Sequence, residues 1–305
     1  MATPSVLERG AARVRVREVA AAYVKLTKPR IIELLLVTTV PAMFLAASGT
    51  PRFGLVIATL IGGTAAAGGA NAINQYLDRD IDEVMRRTRH RPLPERAMAP
   101  TSALAFGIGL SVVAFCFLVV TVNLLAASLA LSAGAFYVFV YTLWLKRRSA
   151  QNIVIGGAAG AVPVLVGWAA VTGRVGLPAV GLFLIVFLWT PPHFWALSLR
   201  YREDYRAAGV PMLPVVAGVA RTVRQIKGYS IALVAVTVAF APLAHMGALY
   251  TAAAVTSGAW FLRGTFRLGS DPTPAATLAV FRDSITYLTL LFLAVGLDAV
   301  VRHVI

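Results

Sequence analysis

An asparagine and two aspartates recur at every fourth residue, at Asn74, Asp78 and Asp82. Residues four apart share one face of an α-helix, so the spacing predicts three oxygen-bearing side chains in a row. Carboxylates one turn apart repel each other, and a bound divalent cation removes that cost. Mg²⁺ favours such hard oxygen ligands, usually one or two carboxylates together with substrate phosphates. The pattern therefore predicts a magnesium site for a phosphate-containing substrate.

An arginine-rich stretch that includes Arg87 and Arg91 follows this motif. Guanidinium groups bind phosphate oxygens through paired hydrogen bonds, which fits the same class of substrate. The alternative is a solvated loop whose aspartates and arginines form ordinary ion pairs. We favour the metal–phosphate hypothesis because the regular spacing stands at a membrane boundary and is followed by the arginines.

A second polar region lies at the end of a later apolar segment. The paired prolines Pro191-Pro192 predict a kinked helix with freed backbone carbonyl groups. His193 is either a functional group or an amphipathic anchor beside Trp195. Asp204 follows shortly after, on the same basic side of the membrane as the first motif. This region is a second candidate for chemistry.

The elements that must position these residues are membrane helices. Hydrophobic residues make up 58% of the 305 residues and charged residues 13%, and the mean hydropathy is +0.76. Such a chain cannot cover itself with polar surface. Apolar runs long enough to cross about 30 Å of hydrocarbon predict nine helices, near residues 31–47, 53–77, 102–122, 124–145, 153–171, 177–199, 229–246, 247–262 and 284–301. The predicted fold class is an all-α polytopic membrane protein.

Positive charge is distributed unevenly between the two sides of these helices. All lysines and arginines fall on the N-terminal tail or after even-numbered spans, apart from Arg52, Arg174 and Arg302. Basic residues accumulate in cytoplasmic loops, so we expect a cytoplasmic N-terminus and an external C-terminus. Residues 1–30 are predicted to form a basic cytoplasmic tail, and residues 31–301 a single membrane domain.

The charge and the cysteine content exclude other classes. A formal charge of +15 would suggest nucleic-acid binding in a soluble protein, but here the positive-inside rule explains it, and no nucleic acid is expected as a partner. Glu8 and Glu18 oppose a mitochondrial transit peptide, which avoids acids, so we expect a bacterial inner membrane protein. The single cysteine, Cys116, excludes an internal disulfide.

The motifs resemble the UbiA superfamily of intramembrane prenyltransferases, and within it the branch that farnesylates haem. The aspartate motif indicates the superfamily, and the last two blocks indicate the haem branch. The resemblance extends over most of the chain and rests on Asn74-x3-Asp78-x3-Asp82, Met85-x-Arg87-Thr88-x2-Arg91-Pro92-Leu93, Tyr141-Thr142-x2-Leu145-Lys146-Arg147, Asn152 to Gly157, Pro191-Pro192-His193-Phe194-Trp195 and Gly209-Val210-Pro211-Met212-Leu213-Pro214-Val215-Val216.

The resemblance implies a nine-helix bundle around a central cavity, capped by cytoplasmic loops. It implies farnesyl diphosphate and haem B as substrates, haem O as product, the lipid bilayer as solvent and a downstream haem-modifying enzyme as a candidate partner. The implied catalytic residues are Asp78, Asp82, Asp204, Lys146 and His193. The implied ligands are Asn74, Asp78, Asp82 and Asp204 for Mg²⁺, Asn74, Arg87, Arg91, Lys146 and Arg147 for diphosphate, and His193, Trp189 and Trp195 for haem.

The sequence departs from the superfamily pattern at two places. The superfamily usually carries a second paired-aspartate motif, where this chain has Glu203-Asp204 between two tyrosines. The superfamily also often has a tyrosine four residues before a lysine, whereas Tyr141 stands five residues before Lys146. The resemblance therefore leaves the second metal site to Asp204 and gives no defined role to Tyr141.

Two alternative functions stay open at this point. A prenyltransferase of the same superfamily that acts on a quinone precursor or another aromatic acceptor would share the aspartate motif but not need the Pro-Pro-His-Phe-Trp block. A secondary transporter would also have many spans and intramembrane prolines, but transporters place ionisable groups near the midplane, and here they concentrate at one membrane face.

Overall fold

The computed structural model of the chain describes residues 6–270 and 272–304, without the side chains of residues 6–16, 30–36 and 303–304. The described part is helical throughout, with short connections. Its elements in chain order are α1 (Val6–Thr27), α2 (Pro29–Ala47), α3 (Phe53–Leu77), α4 (Arg79–Val84), α5 (Pro100–Thr121), α6 (Leu124–Ala135), a π-helix (Phe136–Leu145), α7 (Lys146–Arg148), α8 (Asn152–Thr172), α9 (Leu177–Arg200), α10 (Arg202–Ala207), α11 (Leu213–Val216), α12 (Val219–Leu243), α13 (Ala248–Phe266) and α14 (Pro274–Val304).

The early spans lie where hydropathy predicted them, and two later helices are longer. The first six predicted spans match α2, α3, α5, α6 with its continuation, α8 and α9 within a few residues. The predicted starts at residues 229 and 284 were wrong by ten residues each, since α12 begins at Val219 and α14 at Pro274. Charged residues in these first turns end the apolar run but do not end the helix, because arginine and lysine are good helix formers.

Seven helices of the described part are long and apolar enough to cross a membrane: α3, α5, α6 through α7, α8, α9, α12 and α14. The chain is thus a multi-pass membrane protein. The described apolar part of α2, Val37–Ala47, is shorter than this, and α13 is not among the seven. The total of nine spans stays a prediction.

The predicted N-terminal tail is helical from Val6 onward, and its last turn is fixed to α3. Asn71 and Gln75, one turn apart on α3, donate to the backbone oxygens of Thr27 at 2.9 Å and Leu26 at 2.9 Å. The final carbonyl groups of a helix have no partner within it, so these two amides satisfy the end of α1. The end of the tail is consequently part of the folded domain.

Helices α3 and α5 cross at small residues. A Cβ atom built on Gly69 would lie 2.8 Å from the backbone oxygen of Gly107, so a larger residue there would push the helices apart. Small residues allow such close approach between membrane helices. The crossing lies little more than one turn before Asn74 and fixes the position of the motif.

The span from residue 124 to 148 contains ten residues of π-helix. Between Phe136 and Leu145 the helix widens, and the backbone N–H of Lys146 bonds to the backbone oxygen of Tyr141, five residues earlier. A π-helix absorbs one additional residue per turn. The five-residue spacing from Tyr141 to Lys146 is therefore accommodated within one turn of the helix.

Candidate functional site

The first motif lies at a break between two helices. Helix α3 ends at Leu77, α4 begins at Arg79, and Asp78 joins them. The prediction of one uninterrupted helix was therefore wrong, but hydrogen bonds from Asp78 N to Asn74 O and from Asp82 N to Asp78 O keep the four-residue spacing. Asn74, Asp78 and Asp82 are all buried, whereas Asp80 is exposed. The three motif residues thus point into the protein together.

The orientation of the Asn74 amide follows from its neighbours. Its Nδ2 donates to Asp78 Oδ2 at 2.8 Å and to Thr142 Oγ1 at 3.0 Å. Thr142 donates its own hydrogen to the backbone oxygen of Tyr137, so its oxygen must accept. Asn74 Oδ1 consequently faces Lys28, whose Nζ lies 2.6 Å away.

Lys28 occupies the junction between α1 and α2 in the left-handed conformation, with φ of 55°. Burial lowers the pKa of its ammonium group well below the usual value, and the nearby charge of Arg91 lowers it further. The residue precedes Pro29, and residues before proline prefer extended backbone. A strained backbone at this position brings an amino group to Asn74, and sequence reasoning had assigned this residue only to the basic tail.

Asp78 is fully buried and pairs with Lys146. Lys146 Nζ lies 2.5 Å from Asp78 Oδ2, and Arg147 approaches the other oxygen, Oδ1, to 3.9 Å. Oδ1 has no hydrogen-bond partner. A buried carboxylate oxygen without a hydrogen bond is costly, so it is an open position for a positively charged ligand.

The remaining motif acid, Asp82, and the nearby Asp80 also pair with basic residues. Arg91 contacts both oxygens of Asp82, at 2.9 and 2.7 Å. Arg147 forms two hydrogen bonds of 2.7 Å with Asp80, and these lower the pKa of Asp80 to about 2. The Arg147–Asp80 pair borders a cleft of about 290 Å³ that is closed on its other side by residues 207–210.

The segment after α9 approaches this cluster. Arg86 Nε lies 3.4 Å from Asp204 Oδ1 on α10. The Arg87 guanidinium lies 5.7 Å from the centre of the Tyr201 ring, and its charge acts on the Tyr205 hydroxyl. Burial raises the pKa of the Tyr205 hydroxyl, so it stays protonated. The connections after α3, α7 and α9 therefore meet at one end of the bundle.

His193 lies between two aromatic rings within α9. Its ring stacks on Trp189 at 4.1 Å and on Phe281 of α14 at 4.5 Å. His193 Nδ1 lies 2.8 Å from Ser284 Oγ, and Trp189 Nε1 donates to the Ser284 backbone oxygen at 2.7 Å. Helix α9 continues through Pro191-Pro192 to Arg200. Because proline has no N–H, the backbone oxygens four residues before these prolines receive no helical hydrogen bond.

The third predicted haem contact, Trp195, is not beside the other two. Its ring packs edge-on against Tyr229 of α12 at 5.4 Å, and it is buried. Helical residues are offset by about 100° each, which separates Trp195 from Trp189 by about a third of a turn. The structure brings together Trp189 and His193, but not Trp195.

Sequence reasoning gave no role at the site to four residues of this arrangement: Lys28, Asn71, Thr142 and Ser284. Asn71 lies one turn before Gln75, and this amide spacing on a predicted span was a readable signal. Lys28 and Ser284 gave none, because each acts through a partner far away in the chain.

The donor set is compatible with Mg²⁺. No group of three His, Cys, Asp or Glu side chains with metal-binding geometry occurs among the residues that the structure describes. However, Asp78 has one oxygen without a hydrogen bond, and both oxygens of Asp82 contact the positively charged Arg91. Mg²⁺ needs only one or two carboxylates when phosphates supply the other ligands. The residues therefore fit the metal in the presence of a diphosphate.

The profile of the UbiA prenyltransferase family matches residues 35–295. The chain belongs to this family and is a prenyltransferase, which decides against the transporter alternative. Proteins named protoheme IX farnesyltransferase are similar over nearly the whole chain. The one from Frankia alni is 56% identical over 286 residues, with 92% of this chain and 98% of the relative covered. The one from Gloeobacter violaceus is 53% identical over 279 residues, with 91% and 92% covered.

Solved structures of the family have the same fold. A structure described as digeranylgeranylglyceryl phosphate synthase matches with a TM-score of 0.76 at 18% identity, covering 93% of this chain and 99% of the other. A UbiA homologue from Archaeoglobus fulgidus bound to DMAPP and Mg²⁺ matches with a TM-score of 0.62 at 15% identity, covering 92% and 99%. At these identities the likeness concerns the fold.

Proposed function

We propose that this protein transfers the farnesyl group of farnesyl diphosphate to a vinyl group of haem B, giving haem O. The observation that carries the proposal is the 56% identity over nearly the whole chain to a protein named protoheme IX farnesyltransferase. In the reaction the C1–oxygen bond breaks, and its electron pair leaves with diphosphate. The vinyl group forms the new carbon–carbon bond with C1. Water then adds a hydroxyl group to the other vinyl carbon and loses a proton to a base.

Asn74, Asp78, Asp82 and Asp204 would hold Mg²⁺, which when bound neutralises the negative charge that develops on the leaving diphosphate. The open Oδ1 of Asp78 supports this assignment. In the structure, Asp204 contacts Arg86.

The ion pairs of the site suggest how the diphosphate binds. Lys146 and Arg91 are each held by a motif aspartate, and Arg147 is held by the exposed Asp80. Phosphate oxygens can accept from these cations while the released carboxylates of Asp78 and Asp82 turn to the metal, so no buried charge becomes unpaired in the low-dielectric site. Arg87, which lies beside Tyr201 of the opposite segment, supplies a fourth contact.

Lys28 is a further proposed contact of the diphosphate. Its ammonium group already bonds to the carbonyl oxygen of a proposed metal ligand, Asn74. A diphosphate bound at the motif lies within reach of this group, and charge-assisted hydrogen bonds are the strong ones.

The haem is proposed to bind on α9, where Trp189 and His193 form a polar spot in an aromatic wall. His193 lies seven residues before Arg200, which corresponds to about 10 Å along the helix. Trp195 is left out of this proposal because its ring is occupied by Tyr229.

The finer architecture is part of the proposal. We infer nine spans around a central cavity in a bacterial inner membrane, with the tail of residues 1–30 in the cytoplasm and the C-terminus outside. The distribution of basic residues supports this orientation. Single cysteines at Arg148 and Arg174 in a Cys116→Ser background test it. Only the second should react with an impermeant reagent on intact cells, and labelling of the first would refute the orientation.

Purified protein in nanodiscs, supplied with farnesyl diphosphate, haem B and Mg²⁺, tests the reaction. We expect a product with the mass of haem O, and none without Mg²⁺. Farnesylation of a quinone precursor but not of haem would refute the haem proposal and favour the other acceptor class. A haem-modifying enzyme that acts on haem O would be the downstream partner.

A further inference from the structure

Ser284 determines which nitrogen of His193 carries the hydrogen. The serine hydroxyl donates to the backbone oxygen of Phe281 at 2.7 Å. A hydroxyl group has one hydrogen, so at the 2.8 Å contact with His193 Nδ1 the Ser284 oxygen must be the acceptor. Nδ1 therefore carries the hydrogen, and the neutral ring has its lone pair on Nε2.

The surroundings of His193 leave only the Nε2 edge of the ring free. Trp189 covers one face and Phe281 the other, with interplanar angles of 20° and 27°. Nδ1 is occupied by Ser284, and no hydrogen bond or ion pair engages Nε2 among the described residues. The residue is only half-buried, so its accessible part lies at this edge.

A neutral imidazole whose Nδ1–H is held by a neighbour is the form that binds metals. Histidines that ligate a metal through one nitrogen almost always donate the other N–H to an oxygen, which fixes the tautomer and the ring orientation. Coordination uses the edge of the ring and not its faces, so the stacking on Trp189 and Phe281 leaves the coordinating nitrogen uncovered. Histidine is also a common axial ligand of haem iron.

We propose that His193 Nε2 is the axial ligand of the iron of the acceptor haem, and that Ser284 is the positioning residue that fixes its tautomer. This inference rests on the proposed function, because it requires haem B as acceptor. Ligation at the iron would hold the porphyrin by its centre, and Trp189, donating to the Ser284 backbone, would keep the same wall rigid.

The test is the absorption and electron paramagnetic resonance spectrum of haem B titrated into purified protein without farnesyl diphosphate. We expect nitrogen ligation in the wild type and its loss in His193→Ala, with partial recovery on adding imidazole. His193→Phe keeps an aromatic ring between Trp189 and Phe281, so loss of ligation in this variant cannot be attributed to a collapsed wall. His90→Ala and His245→Asn, at two other histidines, should leave the spectrum unchanged.

Ser284→Ala separates the positioning role from general packing. We expect ligation to persist with haem affinity reduced by roughly tenfold, the lower end of the effect of losing an outer partner of a metal ligand. Unchanged haem affinity in Ser284→Ala would overturn its assigned role.

Haem O formation, measured after farnesyl diphosphate and Mg²⁺ are added to the same samples, distinguishes the two proposals. An unchanged haem spectrum in both His193 variants would overturn the axial ligation, even if haem O is formed. Wild-type protein that prenylates another acceptor and neither binds haem nor forms haem O would overturn both.

Discussion

Replacing Asp78 by asparagine should separate the stability of the site from its chemistry. The Asp78 side chain is fully buried, and that of its partner Lys146 is 13% exposed. Removing one partner of a buried ion pair costs about 3–5 kcal/mol, because the other charge is left uncompensated. We therefore expect Asp78→Asn to lower the free energy of unfolding by about that amount.

A second substitution at the partner isolates this effect. Lys146→Met in the Asp78→Asn background removes the uncompensated charge and should recover most of the stability. Activity should not recover, because one proposed metal ligand and one proposed phosphate contact are both missing. A loss of about 3 kcal/mol of transition-state stabilisation corresponds to more than about 100-fold in rate.

Asp80 provides the matched control, two residues away. Its side chain is 60% exposed, and exposed ion pairs contribute only about 0–1 kcal/mol. Asp80→Asn should therefore change stability and activity little. Haem O formation and unfolding in detergent would be measured for all four proteins. Equal loss of activity in Asp80→Asn and Asp78→Asn would refute the assignment of the metal to the buried face, and so would an active double variant.

Three further predictions concern the same end of the molecule. Because the pKa of Asp80 is lowered, its ion pair with Arg147 contributes to stability above about pH 4 and is lost only as the pH falls through about 2. The activity–pH curves of wild type and Asp80→Asn should therefore be parallel between about pH 5 and 9. Lys28→Met should raise the KM for farnesyl diphosphate by about tenfold or more, since a hydrogen bond to a charged group contributes about 1.5–3 kcal/mol, and an unchanged KM would exclude the contact. Deleting Phe139, which is exposed within the π-helix, should restore α-helical spacing and turn Lys146 away from the Asp78 carboxylate. We expect this variant to insert into the membrane but to be inactive. Full activity would show that the widened turn has no role.

Local sequence was enough to predict the first six helices and the common orientation of Asn74, Asp78 and Asp82. Hydropathy located the first six helices, because the transfer of each segment into lipid depends on that segment alone. The four-residue spacing placed Asn74, Asp78 and Asp82 on one side even though the helix breaks at Asp78, because the hydrogen bonds of the turn continue through the break. The same periodicity already separated Trp195 from Trp189 by about a third of a turn.

Tertiary structure alone decided how these residues are paired. Lys28 reaches Asn74 across 46 residues of sequence, Lys146 reaches Asp78 across 68, and Ser284 reaches His193 across 91. Each pairing depends on which helices pack together and how far each is rotated about its axis. Single-segment periodicity contains neither quantity, because helix packing is set by side chains that meet from distant parts of the chain. The sequence therefore determined which polar groups the helices carry. The packing of α1, α3, the π-helix, α9 and α14 determined which partner each of these groups forms an ion pair or a hydrogen bond with.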